Sequence, residues 1–294
     1  MSAQPAYSLD TRWVRRSFDR ASRTYDASAV LQREVRSLLM ERLELTALEP
    51  KVVLDVGAGT GAACPALKRR YPRALVLAVD FAFGMLKAAA ARRSWFRPFF
   101  ALGADAAQLP LADGSVDLVL SSFMLPWCAP AAVFAEFRRV LAPRGFLTFT
   151  SLGPDTLKEL RAAWTAVDSH ARVLEFLDMH ELGDALVRAG FTEPVLDVER
   201  YCLEYRDVRS LARDLKALGA RNATHGRLRG LTGPRKFAAM QAAYEVHRRA
   251  GRLPATYEVV FGQAWSPLAP PARRDGAIGI ALEEVRRQLP ARRR

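Results

Sequence analysis

The stretch Val52-Val-Leu-Asp-Val-Gly-Ala-Gly-Thr-Gly-Ala62 decides the fold of this 294-residue chain. An apolar run that ends near Asp55 predicts a buried strand, and the glycines after it predict a tight loop followed by a helix. The loop glycines are Gly57, Gly59 and Gly61. Glycine permits positive φ and a close approach of the backbone to a ligand, and the following helix N-terminus offers N–H groups to a negative group. The pattern also satisfies the dinucleotide motif G-x-G-x-x-G/A, and a structural turn without a ligand is the other alternative.

Short apolar runs with strand character alternate with helical segments along most of the chain. The predicted strands lie at 52–56, 75–79, 99–103, 116–121, 146–150, 195–205 and 256–265. The predicted helices lie at 62–70, 83–93, 130–142, 154–167 and 179–189. Such alternation predicts a parallel sheet with helices on both faces. The first 50 residues and residues 207–251 are predicted to be helical.

Acidic residues end the next two predicted strands. Asp80 lies 19 residues after Gly61, where a carboxylate can accept hydrogen bonds from both hydroxyls of a ribose. Asp105 ends the third strand, where a carboxylate can accept from an adenine amine. Each could be a solvated residue at a strand end. Together with Asp55 they point to one crevice, because ligands of open α/β sheets bind at the carboxyl ends of the strands.

The loop D-x-G-x-G-x-G, the acidic end of the second strand and the run GADAAQLPLADGSVD at 103–117 occur in that order. In this the sequence resembles the class I S-adenosylmethionine-dependent methyltransferases. The resemblance implies a Rossmann-like α/β fold with a mostly parallel seven-stranded sheet, whose last, antiparallel strand (256–265) lies between the fifth and sixth. It implies S-adenosyl-L-methionine as cofactor, with the glycine loop at its methionine end, Asp80 on the ribose and Asp105 near the adenine. Asp55 and Ala106 are also expected among the cofactor-binding residues.

A closer resemblance covers nearly the whole chain. The segments that carry it are 18–26, 30–33, 153–160, 178–184, 214–220 and 256–260. They are similar to the malonyl-[acyl-carrier protein] O-methyltransferases of biotin synthesis, although a Gln is usual where Pro126 stands. The resemblance implies methylation of the free carboxylate of a malonyl thioester, carried by an acyl-carrier protein through phosphopantetheine or by coenzyme A. The alternatives are another small-molecule acceptor such as a quinone precursor, or a non-catalytic protein that uses the fold for interaction.

This chemistry needs few catalytic groups. A carboxylate is ionised at pH 7 and needs no general base, so the enzyme must mainly place its oxygen against the methyl group and exclude water. We therefore expect no catalytic triad and no metal. Tyr25 is predicted to donate to the carboxylate from an N-terminal lid, and Trp127 to wall the transfer pocket; packing roles are the alternatives for both. Lys158 and Arg161 are possible substrate contacts, with solvated helix charges as the default.

The formal net charge is +13, which suggests a nucleic acid, an anionic membrane or an acidic protein partner. The surplus is localised, because 206–252 carries +9 and 268–294 carries +4. In the first segment Arg209, Arg213 and Lys216 share one predicted helix face. We expect this face to bind an acidic acyl-carrier protein; a solvated basic face is the alternative here and the default for the tail. Nucleic acid is disfavoured because no N-P-P-[YFW] motif follows the fourth strand.

The predicted domains are a helical lid at 1–50, a methyltransferase domain at 51–206 and 253–266, a helical insertion at 207–252 and a basic tail at 267–294. No run of about 18 apolar residues predicts a membrane span. The three cysteines stand far apart, without a C-x-x-C motif, so a thiolate zinc site is disfavoured. These features predict a cytoplasmic protein without a membrane partner.

Overall fold

The computed structural model describes residues 9–224, 230 and 232–268, and the backbone of 273–274 and 277–278. Most of the predicted basic tail, 267–294, therefore lies outside the described residues. Among the described residues no helix is both long and apolar enough to cross a bilayer.

A seven-stranded sheet forms the centre of the fold. Its strands are β1 (Val52–Val56), β2 (Leu75–Asp80), β3 (Phe100–Gly103), β4 (Val116–Ser122), β5 (Leu141–Leu152), β6 (Thr192–Tyr205) and β7 (Leu253–Trp265). The strand order is β3-β2-β1-β4-β5-β7-β6. Strands β1 to β5 pair in parallel, whereas β7 pairs antiparallel with β5 and β6. The predicted insertion of the last strand between the fifth and sixth is confirmed.

Helices cover both faces of this sheet, which explains why its inner strands are continuous apolar runs. The helices are α1 (Thr11–Ala21), α2 (Tyr25–Ser28), α3 (Val30–Glu44), α4 (Cys64–Arg70), α5 (Phe83–Ala91), α6 (Pro130–Val140), α7 (Lys158–Thr165), α8 (Met179–Arg188), α9 (Val208–Ala217) and α10 (Pro234–Glu245). On one face Val53 packs in a cluster with Leu39 of α3. On the other face Leu54 packs in a cluster with Phe137 of α6. All four side chains are at most 1% exposed, so adjacent residues of β1 are buried on opposite faces.

The segment between β6 and β7 differs from its prediction. It contains α9 and α10, but 218–224 forms turns and extended chain, so the prediction of helix throughout 207–251 is wrong there. The reason is tertiary: Asp10 N donates to Ala223 O at 2.8 Å, and Leu9 forms a β-bridge with Thr224. The amino-terminal segment thus takes hydrogen bonds that a longer α9 would have used internally.

Candidate active site

The glycine loop connects β1 to α4 and is tied to the neighbouring strand. The amides of Gly57 and Ala58 donate to Val79 O at 2.8 and 3.0 Å. Gly57 has φ +72°, and a Cβ there would lie 2.4 Å from Met124 Cγ. Only glycine fits this position without strain and overlap.

Asp80 is held beneath the loop by two backbone donors. Gly59 N donates to its Oδ2 at 2.9 Å and Ala82 N donates to its Oδ1 at 2.8 Å. Burial raises the pKa of Asp80, while these amide donors act in the opposite direction. Since a carboxylate has about four acceptor sites, the fixed side chain can accept further hydrogen bonds from a ligand.

Asp55 is placed differently from the expectation that it contacts the ligand. Its carboxylate is 3% exposed and accepts a hydrogen bond from Cys64 Sγ at 3.4 Å. Burial raises the pKa of Asp55 to about 7. A Cβ on Gly61 would lie 2.8 Å from Ala89 Cβ, so this glycine allows α5 to approach the loop. Of the described residues, neither Asp55 nor Gly61 lines the cleft in front of the loop.

That cleft, with a volume of about 240 Å³, lies at the carboxyl ends of β1, β2 and β4. It brings together most of the predicted site residues. Those that line it are Gly57, Gly59, Asp80, Asp105, Ala106, Tyr25 and Trp127. Asp105 is exposed at the rim, and its Oδ1 accepts from Ala107 N at 2.9 Å. The cleft therefore has a glycine loop at one end and acidic groups along its wall.

The amino-terminal helices close over this cleft. Asp26 accepts a hydrogen bond from Thr60 Oγ1 at 2.8 Å and forms an ion pair with Arg92. This contact fastens α2 to the glycine loop and α5. Phe18 of α1 packs edge-on against Trp127, with ring centroids 5.2 Å apart. Helices α1 and α2 thereby form part of the cleft wall.

A second cavity of about 120 Å³ adjoins the cleft. The two spaces share four lining residues, Phe18, Tyr25, Phe123 and Trp127. The other walls come mainly from apolar side chains of β5, α7, α9 and the chain before α8. They include Leu152, Leu160, Val173, Leu174, Leu215 and Leu218. Tyr25 and Trp127 therefore stand at the boundary between a ligand cleft and a mostly apolar cavity.

Sequence reasoning missed three residues of this boundary and cavity. Phe123 has φ +55°, an uncommon backbone conformation for a bulky residue, and its N–H donates to Thr150 O at 3.1 Å. Arg172 and Arg221 line the second cavity. Phe123 directly follows β4, a position that could have indicated it, whereas the two arginines lie in irregular chain and no local motif marks them.

The suggested substrate contacts Lys158 and Arg161 have local partners instead. Arg161 donates to Pro154 O at 2.8 Å and to Thr156 O at 3.1 Å. Lys158 pairs with Asp155 at 3.4 Å. Neither side chain lines the cleft or the second cavity within the described part of the chain. The loop after β5 provides the partners of both side chains. For Lys158 this agrees with the default expectation of a solvated helix charge.

The predicted basic face lies on the outside of α9. Arg209, Arg213 and Lys216 are exposed, while Leu215 on the inner side of the same helix lines the second cavity. Asp207 caps the helix by accepting from Ser210 N at 2.7 Å. One helix therefore separates a basic surface from an apolar cavity.

Comparison with known proteins agrees with this architecture. A family described as "Methyltransferase domain" matches residues 54–149. A SAM-dependent methyltransferase from Thermotoga maritima superposes with a TM-score of 0.51 at 16% identity, covering 86% of this chain and 99% of its own. Phospholethanolamine N-methyltransferase 2 from Haemonchus contortus, solved with phosphomonomethylethanolamine and S-adenosylhomocysteine, gives 0.51 at 14% identity, covering 85% and 57%. The fold is that of the class I S-adenosylmethionine-dependent methyltransferases, as predicted.

More similar relatives narrow the class. A malonyl-[acyl-carrier protein] O-methyltransferase of Methylovorus sp. (strain MP688) is 53% identical over 92% of this chain and 94% of its own length. Proteins of the same name from Laribacter hongkongensis and Halorhodospira halophila are 51% and 47% identical, over 92% and 98% of this chain and 94% and 99% of their own lengths. The chain belongs to the malonyl-[acyl-carrier protein] O-methyltransferase family, which confirms the closer resemblance.

Proposed function

We propose that this enzyme transfers a methyl group from S-adenosylmethionine to the free carboxylate of a malonyl thioester on an acyl-carrier protein. The observation that carries the proposal is 53% identity with a relative of that name over 92% of the chain. The geometry supports it, because a ligand cleft and an apolar cavity meet at Tyr25 and Trp127. The product is a methyl ester of the kind that enters biotin synthesis.

The cleft fits the cofactor. A Cβ built on Gly59 meets no described atom within 4 Å, so the loop backbone is open to a close ligand. We propose that Gly57 and Gly59 hold the methionine end, that Asp80 accepts from the ribose hydroxyls, and that Asp105 and Ala106 flank the adenine. Asp55 and Gly61 support the loop from behind. When bound, the cofactor supplies a methyl group on a positively charged sulfur.

The residues at the boundary position the acceptor and exclude water. Burial, assisted by the nearby Asp80, raises the pKa of Tyr25 to about 12. The phenol therefore stays protonated and can donate a hydrogen bond to an acceptor carboxylate. Phe18, Phe123 and Trp127 surround this donor with aromatic surface. Weaker competition from water strengthens the hydrogen bond and favours in-line placement.

We further propose that the carrier protein docks on the outer face of α9. Arg209, Arg213 and Lys216 are exposed there, and an acidic partner would be attracted and oriented by this charge. Leu215 and Leu218 of the same region line the second cavity. Only helix α9 would separate a phosphopantetheine arm that starts at this surface from the second cavity.

Methyl transfer is tested with cofactor labelled on its methyl group. The purified chain is incubated with malonyl-carrier protein or with acetyl-carrier protein as control. We expect base-labile label on the malonyl substrate alone, because only it has a free carboxylate. Label on neither substrate, from a protein that binds the cofactor in calorimetry, would refute the assigned acceptor. Absence of cofactor binding would refute the class of reaction.

Docking is tested by reversing the outer charges of α9. The triple variant Arg209→Glu, Arg213→Glu, Lys216→Glu should raise KM for malonyl-carrier protein at least about 10-fold. It should leave cofactor affinity and turnover of a malonyl thioester of a short thiol unchanged. Equal losses with both substrates would contradict a docking role for this face.

A further inference from the structure

The second cavity contains two arginines in largely apolar surroundings. Arg172 is already engaged: it forms a close ion pair with Asp168 and donates to Thr232 Oγ1 at 3.1 Å. Its guanidinium also stacks over Trp164 at 4.6 Å. Its charge is balanced, so Arg172 is a structural link in the cavity wall.

Arg221 is different. Its side chain is partly buried at the cavity wall, and it makes no hydrogen bond or ion pair with a side chain or backbone atom of the described residues. A guanidinium presents five donors and remains charged at every physiological pH. In an apolar cavity such a group is stabilised when an anion enters beside it.

The backbone that carries Arg221 is fixed on both sides. Asn222 Nδ2 donates to Ala171 O at 2.7 Å, and Asn222 Oδ1 accepts from Thr224 N at 3.0 Å. On the other side, a Cβ on Gly219 would lie 3.1 Å from Ala21 Cβ, so this turn packs closely on α1. The backbone position of Arg221 is therefore set by the fold before any ligand binds.

The same packing brings Arg221 to the cavity that Tyr25 borders. Thr24 Oγ1 donates to Ala217 O at 2.9 Å, which joins the start of α2 to the end of α9. Tyr25 follows Thr24 and lines both the cleft and the second cavity, whereas Arg221 lines the second cavity but not the cleft. The cavity that a short acyl group would enter is therefore lined by both a neutral hydroxyl donor and a cation.

We propose that Arg221 binds the carboxylate of the malonyl group and selects it over uncharged acyl groups. This inference rests on the proposed function and adds to it the residue that determines acceptor specificity. Planar guanidinium and planar carboxylate match in geometry and charge. Tyr25 donates to the same carboxylate at the boundary with the cleft, and Arg221 attracts it from the cavity side.

The charge balance of the reaction gives this contact a second consequence. A carboxylate oxygen forms a bond to the methyl carbon while the bond from that carbon to sulfur breaks, and the electron pair of the broken bond stays on sulfur. No proton moves. The acceptor loses its negative charge, so the ester is no longer attracted to Arg221. The contact therefore favours substrate over product and assists product release.

The test replaces Arg221 and measures kinetics with a malonyl thioester of a short thiol, which removes carrier docking from the result. Arg221→Gln should raise KM roughly 10- to 150-fold, the usual effect of removing a hydrogen bond to a charged group. The value of kcat should change little, because the ground-state anion is held at least as tightly as the transition state. Arg221→Lys should recover part of the loss, since it keeps the charge but not the planar fork.

Binding without turnover provides a second readout. In the presence of S-adenosylhomocysteine, wild type should bind the malonyl thioester more tightly than the acetyl thioester, and Arg221→Gln should lose most of this preference, keeping only the part that the Tyr25 hydroxyl supplies. Cofactor affinity and thermal unfolding show whether each variant is folded, and Arg73→Gln, at an exposed site before β2, is the matched control. Wild-type kinetics in Arg221→Gln would overturn this inference alone. Failure of wild type to methylate any malonyl thioester would overturn the proposed function instead.

Discussion

Replacing Gly59 by alanine separates ligand binding from stability at the glycine loop. Gly59 lines the cleft, has φ +55° and donates its N–H to Asp80 Oδ2 at 2.9 Å. A methyl group there meets no described atom within 4 Å. The added carbon therefore avoids the protein and enters the space in front of the loop, where we place the cofactor.

The two effects have different sizes. Left-handed backbone costs alanine about 1–2 kcal/mol, and with no overlap this is the whole expected loss of folding free energy. A ligand packed against the loop must shift, at a cost of about 1–3 kcal/mol, typical of an overpacked methyl group. That corresponds to roughly 5- to 150-fold weaker binding of S-adenosylmethionine.

Two other glycines provide controls. Gly190 has φ +86°, has no described atom within 4 Å of a Cβ and follows α8 away from the cleft. Gly190→Ala should lose about 1–2 kcal/mol of stability and no cofactor affinity. Gly57→Ala adds overlap with Met124 at 2.4 Å, so its loss of stability should reach about 2–5 kcal/mol.

The assay combines urea unfolding with calorimetric titration of S-adenosylmethionine. Wild-type affinity in Gly59→Ala would show that the ligand does not pack against this residue and would refute the placement. A loss of affinity in Gly190→Ala as large as in Gly59→Ala would show that strain, not contact, weakens binding. If Gly57→Ala is as stable as Gly190→Ala, the packing argument for Met124 fails.

Three further predictions concern the buried acid, the lid contact and the boundary tyrosine. The pKa of Asp55 in the folded protein is raised to about 7, so the stability that the protonated acid contributes below its unfolded pKa near 4 is lost as the pH rises through 7. In urea unfolding, the stability of Asp55→Asn relative to wild type should therefore rise by about 3 kcal/mol between pH 5 and 8. A stability difference that stays constant with pH would contradict the raised pKa. Asp26→Ala removes the contacts to Thr60 and Arg92, and cofactor dissociation in stopped flow should accelerate roughly 5- to 30-fold; an unchanged rate would show that α2 does not retain the cofactor. Tyr25→Phe should lower kcat/KM for the malonyl thioester about 10-fold and leave cofactor affinity unchanged. A loss confined to cofactor affinity would show that the hydroxyl contacts the cofactor and not the acceptor.

Much of the fold was predictable because its signals are local. The inner parallel strands β1, β2, β4 and β5 are mostly buried apolar runs, and the sequence shows them directly. Strand β5 was predicted to begin at Phe146 but begins at Leu141, because Pro143 and Gly145 interrupt the apolar pattern while Leu141 still pairs with Val116. The non-helical 218–224 was missed for a different reason, since contacts with the amino-terminal segment determine it.

The candidate site divides in the same way. That Gly57, Gly59, Asp80 and Asp105 would line one cleft was predictable, because each follows a strand in a motif of fixed spacing and parallel strands bring such positions to one edge. Asp55 carries the motif but lies behind the loop, a distinction that spacing does not express. Arg221 was not predicted, because only the packing of 219–224 on α1 and on Ala171 brings it to the cavity.

We propose that the surplus positive charge of the 206–252 segment acts at two distances. On the outer face of α9, Arg213 and Lys216 are exposed, and their attraction for a partner is screened by salt beyond about 8 Å. Arg221 lines a mostly apolar cavity and is partly buried, so water screens its charge less. The outer charges can orient a carrier but cannot distinguish its acyl group. Arg221 can make that distinction but has little effect on approach, so recognition of carrier and of malonyl group should be separable in this fold.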